Sequence, residues 1–380
     1  MRIAILTFHK AYNCGAMLQA WALKTVLEGM GHTVVFPDCN NVGDAPRFRS
    51  FSSPHQWPRK FLSLVNYVLT QMLSVGSVDL RRRLHRRFLN RHFNTVACPV
   101  DGIHSICDAA IYGSDQIWNL SLLRKEDPVN KAPEVVFLGE REPKSFPKIS
   151  YAASLGDHEI GNPDLDRVMA AARDFSAVSL RESISAGDFR DKRNRGAQVV
   201  VDPSLLLDKE NYIQIANPSR MKRGRYLLVY ALLATPFVCQ CARKASEYMG
   251  LPVVILSMYQ YGKRFCPKDV RVAFGPAEWL AWFRDAEAVL AMSFHGTAFS
   301  VLFNKPFVSL RNKVDTRESR PAAFLREIGA LERLVTPDRP DTDWLPLLSK
   351  PVGGEQSGIL GALREHSLRW LENAIGEVVL

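Results

Sequence analysis

The sequence predicts an α/β protein of two Rossmann-like domains facing a cleft. The chain has 380 residues, more than one ordinary core organises. Short continuous apolar runs, of the kind a parallel sheet buries on both faces, alternate with helix-period segments. That rhythm begins at Arg2 and starts afresh at Tyr226. Polar clusters recur where the runs stop, and in doubly wound sheets that edge carries the ligand.

Arg2–Thr7 reads as a buried parallel strand. The loop 8–15 leads into a helix from about Ala16 to Met30, with Met17, Leu18, Trp21, Leu23, Val26 and Leu27 as its apolar positions and Gly31 as its stop. Thr33–Phe36 is the second strand. This is a βαβ opening with a phosphate-sized loop. It lacks G-x-G-x-x-G, so a dinucleotide fingerprint is not supported. Residues 41–60 read as an exposed loop and Phe61–Val75 as an apolar helix too short to span a bilayer.

Leu80–Phe93 reads as a basic helix. Arg81, Arg82, Arg83, Arg86, Arg87 and Arg91 surround Leu84, Phe88, Leu89 and Phe93, which share one face at 3.6 residues per turn. Two readings stand: peripheral membrane contact through Arg81–Arg91 at acidic lipid head groups, or a surface helix with a solvated charged side. Nothing resembles a nucleic-acid module, so no nucleic acid is expected.

From Asp108 the alternation resumes. Strands are expected at Ala109–Tyr112, Ile149–Ala153, Ala177–Leu180 and Gln198–Val201, with a helix from about Asp164 to Asp174. In the second half the strands are Tyr226–Tyr230, Val253–Ser257, Ala288–Ala291 and Pro306–Leu310, with helices near Phe237–Met249 and Ala277–Asp285. Residues 337–356 read as a Pro, Asp and Gly loop before a last amphipathic helix, Ile359–Ile375. The expected division is an N-terminal domain over 1–205 with a basic helical insertion at about 55–95, a C-terminal domain over 206–355, and a helix over 356–380 packing back on the first domain.

Composition is that of a globular protein, 47% apolar and 23% charged, with a net charge of +10. A basic balance fits anionic partners without choosing among them. The seven cysteines are odd in number and match no zinc or redox spacing. They read as free thiols in a reducing cytosol. The start runs directly into a strand, with no secretory signal, so a cytoplasmic location is expected, peripheral at the inner face of the membrane if the basic helix binds lipid.

The most informative stretch is Ser293-Phe294-His295-Gly296-Thr297 between a strand and a helix. A helix start attracts anions, because its first amides are unpaired and the dipole is positive there. A histidine at that point can contact an anion and move a proton. The bland alternative is a buried histidine capping a helix. Similar clusters end other strands: His9/Asn13/Gly15, Ser114/Asp115/Gln116, Ser154 and Arg181/Glu182. Each has its own structural reading. Asn13 and Gly15 are turn residues, Ser114 and Asp115 are helix caps, and Arg181 can pair with Glu182 or another neighbour. Jointly they point to a site for a small, highly charged ligand.

The segments FHKAYNCGAMLQAWAL, IYGSDQIWN, ISYAASLG, VSLRE, VVDPSLLL and SFHGTAFSVLFNKPF, in that order over roughly residues 1–330, resemble the polysaccharide pyruvyltransferase family. The resemblance implies a GT-B-like architecture and transfer of a pyruvyl group from phosphoenolpyruvate to a sugar as a cyclic ketal. The acceptor it implies is a cell-surface polysaccharide, such as an exopolysaccharide, or its lipid-linked oligosaccharide precursor. No cofactor or metal is implied beyond phosphoenolpyruvate as donor.

By the same resemblance His295 is the leading catalytic residue and Arg181 the clamp on the donor's carboxylate or phosphate. Gly296 and Thr297 would offer donors. Asn13, Gly15, Ser114, Gln116 and Ser154 would line the substrate site, and Asp115 would be a base or else a cap. Many members carry Arg-Leu-His-Gly where this chain has Ser293-Phe294-His295-Gly296. Arg311, Arg317 or Arg320 could supply the missing charge, Arg320 first. Two other functions use the same architecture. One is a nucleotide-sugar glycosyltransferase, with Glu278 or Glu287 at the ribose. The other is a non-catalytic glycan-binding protein.

Overall fold

The computed structural model describes residues 1–39, 79–126, 134–156, 163–217, 224–231, 235–257, 270–271, 273–312 and 319–379. The expected loop at 41–60, the apolar helix at 61–75 and Arg317 lie outside the described residues. The chain forms two compact units, one of Met1–Phe48, Phe88–Leu207 and Gly361–Leu380, the other of Arg49–Arg87 and Asp208–Leu360. Most of the basic segment thus groups with the second unit. Its helix, α2 at residues 79–92, contributes its last residues to the first.

In the first unit β1 (Arg2–Leu6), α1 (Cys14–Gly29), β2 (Thr33–Asp38), β3 (Thr95–Ala97) and β4 (Ala109–Tyr112) are followed by α3 (Leu120–Glu126), α4 (Glu134–Phe137), β5 (Lys148–Ala153), α5 (Pro163–Ala172), β6 (Ala177–Leu180) and β7 (Gln198–Val199). The strands pair in the order β3-β2-β1-β4-β5-β6-β7, every described pair parallel. β1, β4, β5 and β6 are buried almost throughout, as a sheet covered on both faces requires. α1 begins at Cys14, earlier than its apolar period indicates, because Asn13 caps it: the Asn13 Oδ1 accepts from Gly15 N at 3.0 Å. β7 stops short of Val201, whose N–H donates to Ser367 Oγ at 3.0 Å.

Cys39 and Cys98 form a disulfide, which corrects the reading of all seven cysteines as free thiols. β2 and β3 are adjacent and parallel, and their ends bring together two cysteines 59 residues apart. Sequence spacing carries no trace of that pairing.

The second unit contains α6 (Lys209–Ile215), β8 (Leu227–Ala231), α7 (Pro236–Met249), β9 (Val253–Ser257), β10 (Val270–Arg271), α8 (Pro276–Asp285), β11 (Ala288–Ala291), α9 (Phe294–Leu302), β12 (Phe307–Leu310), α10 (Arg320–Glu327), β13 (Leu334–Val335) and α11 (Asp341–Trp344). Its strands run β10-β9-β8-β11-β12-β13, all described pairs parallel. Thr235 caps α7, with proline at the first turn, and Gly250 ends it in the left-handed region. The stretch read as a loop at 337–356 contains α11 and a short 3₁₀ turn, Leu345–Ser349. The buried Arg333 anchors it, donating to the carbonyls of Phe307, Leu347, Lys350 and Pro351. One guanidinium thereby satisfies four acceptors that a loop would otherwise leave to water. The last helix, α12 (Gly354–Val379), belongs to the first unit from Gly361 onward.

Candidate functional site

In the first sheet the chain moves outward from β1 to β2 and β3, then returns to β4 on the other side of β1. The carboxyl ends of β1 and β4 therefore form a topological switch point, the place where open α/β sheets bind ligands. Thr7 and Ser114 follow those two strands and are bonded to each other, Thr7 Oγ1 donating to the Ser114 carbonyl at 2.9 Å. Gln19 of α1 secures both, through Nε2 to Thr7 Oγ1 at 2.8 Å and through Oε1 from Ser114 N at 3.4 Å. Gly113 leaves no room for a side chain, since a Cβ there would lie 2.1 Å from the Tyr151 carbonyl oxygen. Asp115 and Ala152 hold positive φ, 68° and 49°, an unfavourable region for such residues that clusters at functional sites.

Asp202 gathers this edge together. Its Oδ2 accepts from Arg181 Nη1 at 2.9 Å and from Ser114 Oγ at 3.1 Å, while its Oδ1 accepts from Ser204 N and Oγ. Arg181 also donates from Nε to Glu182 Oε1 at 3.2 Å, and Ser154 Oγ donates to that same oxygen at 2.5 Å. Burial alone would lower the Arg181 pKa. The carboxylates of Glu182, Asp202 and Asp115 outweigh it and raise it, so the side chain is a permanent cation. Two of its donor atoms thus face protein carboxylates, and the salt-bridge reading of Arg181 describes its geometry.

Ser114, Asp115, Ser154 and Arg181 are brought together here. Asp115 starts no helix: its Oδ1 accepts from Gln116 N at 2.9 Å, and Asn119 caps α3 by accepting from Leu122 N at 3.1 Å. Gln116 Oε1 accepts from Asn119 Nδ2 at 2.7 Å. Asn13 is the cap of α1 and Gly15 its second residue, so both have structural places at a helix start and not in the expected turn. Sequence reasoning missed Asp202, Gln19 and Thr7 as parts of this network. Asp202 lies just past β7, and the strand-end logic that selects Ser154 and Arg181 points to it equally.

The second sheet has its own switch point between β8 and β11, and the segment after β11 is Met292-Ser293-Phe294-His295. Ser293 is the cap of α9, accepting from Gly296 N at 3.1 Å. His295 lies inside the first turn and is buried, so it is not the cap. Ser293 thus has a structural task at the start of α9. Thr297 Oγ1 donates to the Ser293 carbonyl and shares a hydrogen bond with Ser309 Oγ. A Cβ on Gly296 would lie 2.8 Å from Tyr230 Cδ1, so glycine lets α9 sit against β8. Gly296 and Thr297 thus fasten the helix that carries His295. Arg320 opens α10 behind its cap Ser319.

The carboxylates considered for a ribose are engaged: Glu278 accepts from Gly275 N and Asn217 Nδ2, and Glu287 pairs with Arg225 at 3.1 Å. In α2, Phe88 and Phe93 beyond it are buried, with Phe93 edge-on to Phe36. The C-terminal part of that apolar side packs against protein. Among the described residues no helix is long and apolar enough to cross a membrane.

A family description, polysaccharide pyruvyl transferase, matches residues 13–314. The chain belongs to the polysaccharide pyruvyl transferase family. The match spans most of the chain and takes in both switch-point clusters of this family member except Thr7. No curated protein matches it significantly. Among solved structures, a Streptomyces glycosyltransferase covers 99% of its own length and 98% of this chain at 12% identity and a TM-score of 0.43. A UDP-GlcNAc 2-epimerase from Methanocaldococcus jannaschii, solved with UDP-GlcNAc and UDP, covers 98% of its length and 95% of this chain at 11% identity and a TM-score of 0.45. At these values the likenesses add nothing to what the two sheets of the pyruvyl transferase family member show.

Proposed function

We propose that the protein transfers the pyruvyl group of phosphoenolpyruvate to a sugar of a cell-surface polysaccharide, such as an exopolysaccharide, or its lipid-linked precursor, forming a cyclic ketal on the cytoplasmic side. The family match over residues 13–314 carries this reading. The chemistry begins with a proton delivered to the methylene carbon of the donor, which leaves positive charge on the adjacent carbon. One sugar hydroxyl attacks there and loses its proton. A second hydroxyl on the same sugar then displaces phosphate, closing the ketal. The net change is one donor and one diol to one ketal and one phosphate.

Such a site needs an acid, a base and a cradle for anions. His295, buried at the first turn of a helix, is assigned donor binding and the proton transfer. Arg320 is assigned the donor charge that relatives place two residues before their histidine. Asp115 is assigned the base for the acceptor hydroxyl. Arg181, with two donor atoms on Glu182 and Asp202, is assigned the positioning of that strand end. A nucleotide-sugar reaction is less favoured, since Glu278 and Glu287 both have partners within the protein.

The test is incubation with isotopically labelled phosphoenolpyruvate and lipid-linked sugars. Acid-labile label on the sugar, with equimolar phosphate, is the expected result. Turnover of UDP-sugars with no use of phosphoenolpyruvate would overturn the proposal.

A further inference from the structure

The second unit holds a hollow of about 590 Å³ between α2 and α8, a volume within the range of small-ligand sites. It lies apart from His295. Tyr226 and Asp285, which line it, flank the beginnings of β8 and β11, whereas His295 follows the end of β11.

One helical stripe faces the hollow. Leu80, Arg83, Leu84 and Arg87 are spaced i, i+3, i+4 and i+7, and all four line it. Across from them α8 contributes Ala281 and Trp282. The apolar wall is partly open, with Leu80 48% exposed. The hollow therefore offers an apolar floor with cations at one side.

The charges around it are unevenly matched. Each carboxylate in the lining has donors from the protein. Glu278 takes Gly275 N and Asn217 Nδ2 at 3.0 Å each, and Asp285 takes Nε and Nη2 of Arg284 at 2.6 and 2.9 Å. No described residue pairs with Arg83 or Arg87, which are exposed. Like charges at i and i+4 repel on a helix, so an anion bridging the two relieves that repulsion as it binds. Two guanidinium forks offer more N–H donors than one carboxylate accepts, while the terminal oxygens of a phosphate monoester can serve both.

We infer that this hollow binds an amphiphilic phosphate monoester, its phosphate between Arg83 and Arg87 and its aliphatic body against Leu80, Leu84 and Trp282. The site does not depend on the transfer reaction. Such a ligand comes either from a bilayer lipid or from a freely diffusing amphiphile.

The test is calorimetric titration of the full chain with decyl phosphate below its micellar concentration, beside inorganic phosphate and decanol. Decyl phosphate binds at least about tenfold tighter than either. Arg83→Gln with Arg87→Gln weakens it about tenfold or more with an unchanged circular dichroism spectrum, and Ala281→Phe, which fills the floor, weakens decyl phosphate but not inorganic phosphate. Equal affinity in wild type and the double variant, or no preference for decyl phosphate over inorganic phosphate, overturns the proposal. Retention on phosphatidylcholine vesicles containing phosphatidic acid, reversed by decyl phosphate, assigns the ligand to the bilayer; absence of retention with decyl phosphate binding intact assigns it to solution.

Discussion

Arg181 Nη1 donates to Asp202 Oδ2 at 2.9 Å, and both side chains are buried. The same carboxylate oxygen takes the Ser114 hydroxyl, so one ion pair joins the ends of β4, β6 and β7. A buried pair of this kind is a weak source of net stability, but breaking it leaves an uncompensated charge.

Asp202→Ala removes the acceptor shared by Arg181, Ser114 and Ser204. The expected loss is about 3–5 kcal/mol, read from the urea midpoint. A double-mutant cycle with Arg181→Met tests the pairing itself: the combined variant should be less destabilised than the sum of the two single variants.

α9 should tolerate neither a larger residue at Gly296 nor loss of its cap. Gly296→Ala places a methyl group 2.8 Å from Tyr230 Cδ1 and is expected to cost about 1–3 kcal/mol. Ser293→Ala removes the acceptor for Gly296 N and is expected to cost about 1 kcal/mol. Both changes are read by chemical denaturation, and the first is expected to reduce turnover as well, because it moves the turn that carries His295.

Acid should destabilise the fold through two buried histidines. Burial pushes His9 and His85 from 6.5 down to about 4. Between those values the unfolded chain binds more protons, so stability is full above about 6.5 and falls as the pH drops toward 4, by on the order of 3 kcal/mol per histidine. His9 packs against Phe36 and Phe93. His9→Phe should therefore flatten the acid limb of the denaturation midpoint against pH, and an unchanged slope would exclude His9 as a contributor.

If Arg320 supplies the donor charge, Arg320→Ala should raise the KM for phosphoenolpyruvate at least about tenfold and leave the KM for the sugar acceptor nearly unchanged. Equal effects on both would instead indicate a disturbance of α10.

The strands at Ala177–Leu180, Val253–Ser257 and Ala288–Ala291 were legible to the residue, because a fully buried parallel strand is a bounded apolar run. The switch-point placement of Ser114 and His295 was legible for the same reason. Asp202 was not nominated, since Asp-Pro-Ser after a strand is an ordinary turn until the folded chain brings Arg181 to it. α10 and α11 were overlooked because short helices give the period too few turns to show. The apolar face of α2 was legible as a pattern, but a pattern does not tell lipid from protein as its cover.

The most direct measurement is the isotope content of the product methyl group after reaction in deuterium oxide. Transfer from phosphoenolpyruvate through protonation of its methylene predicts a ketal whose methyl carries one deuterium, with one phosphate released per ketal, and His295→Ala is expected to slow it at least about 100-fold. A ketal methyl without solvent deuterium, or sugar modification with no consumption of phosphoenolpyruvate, would contradict it.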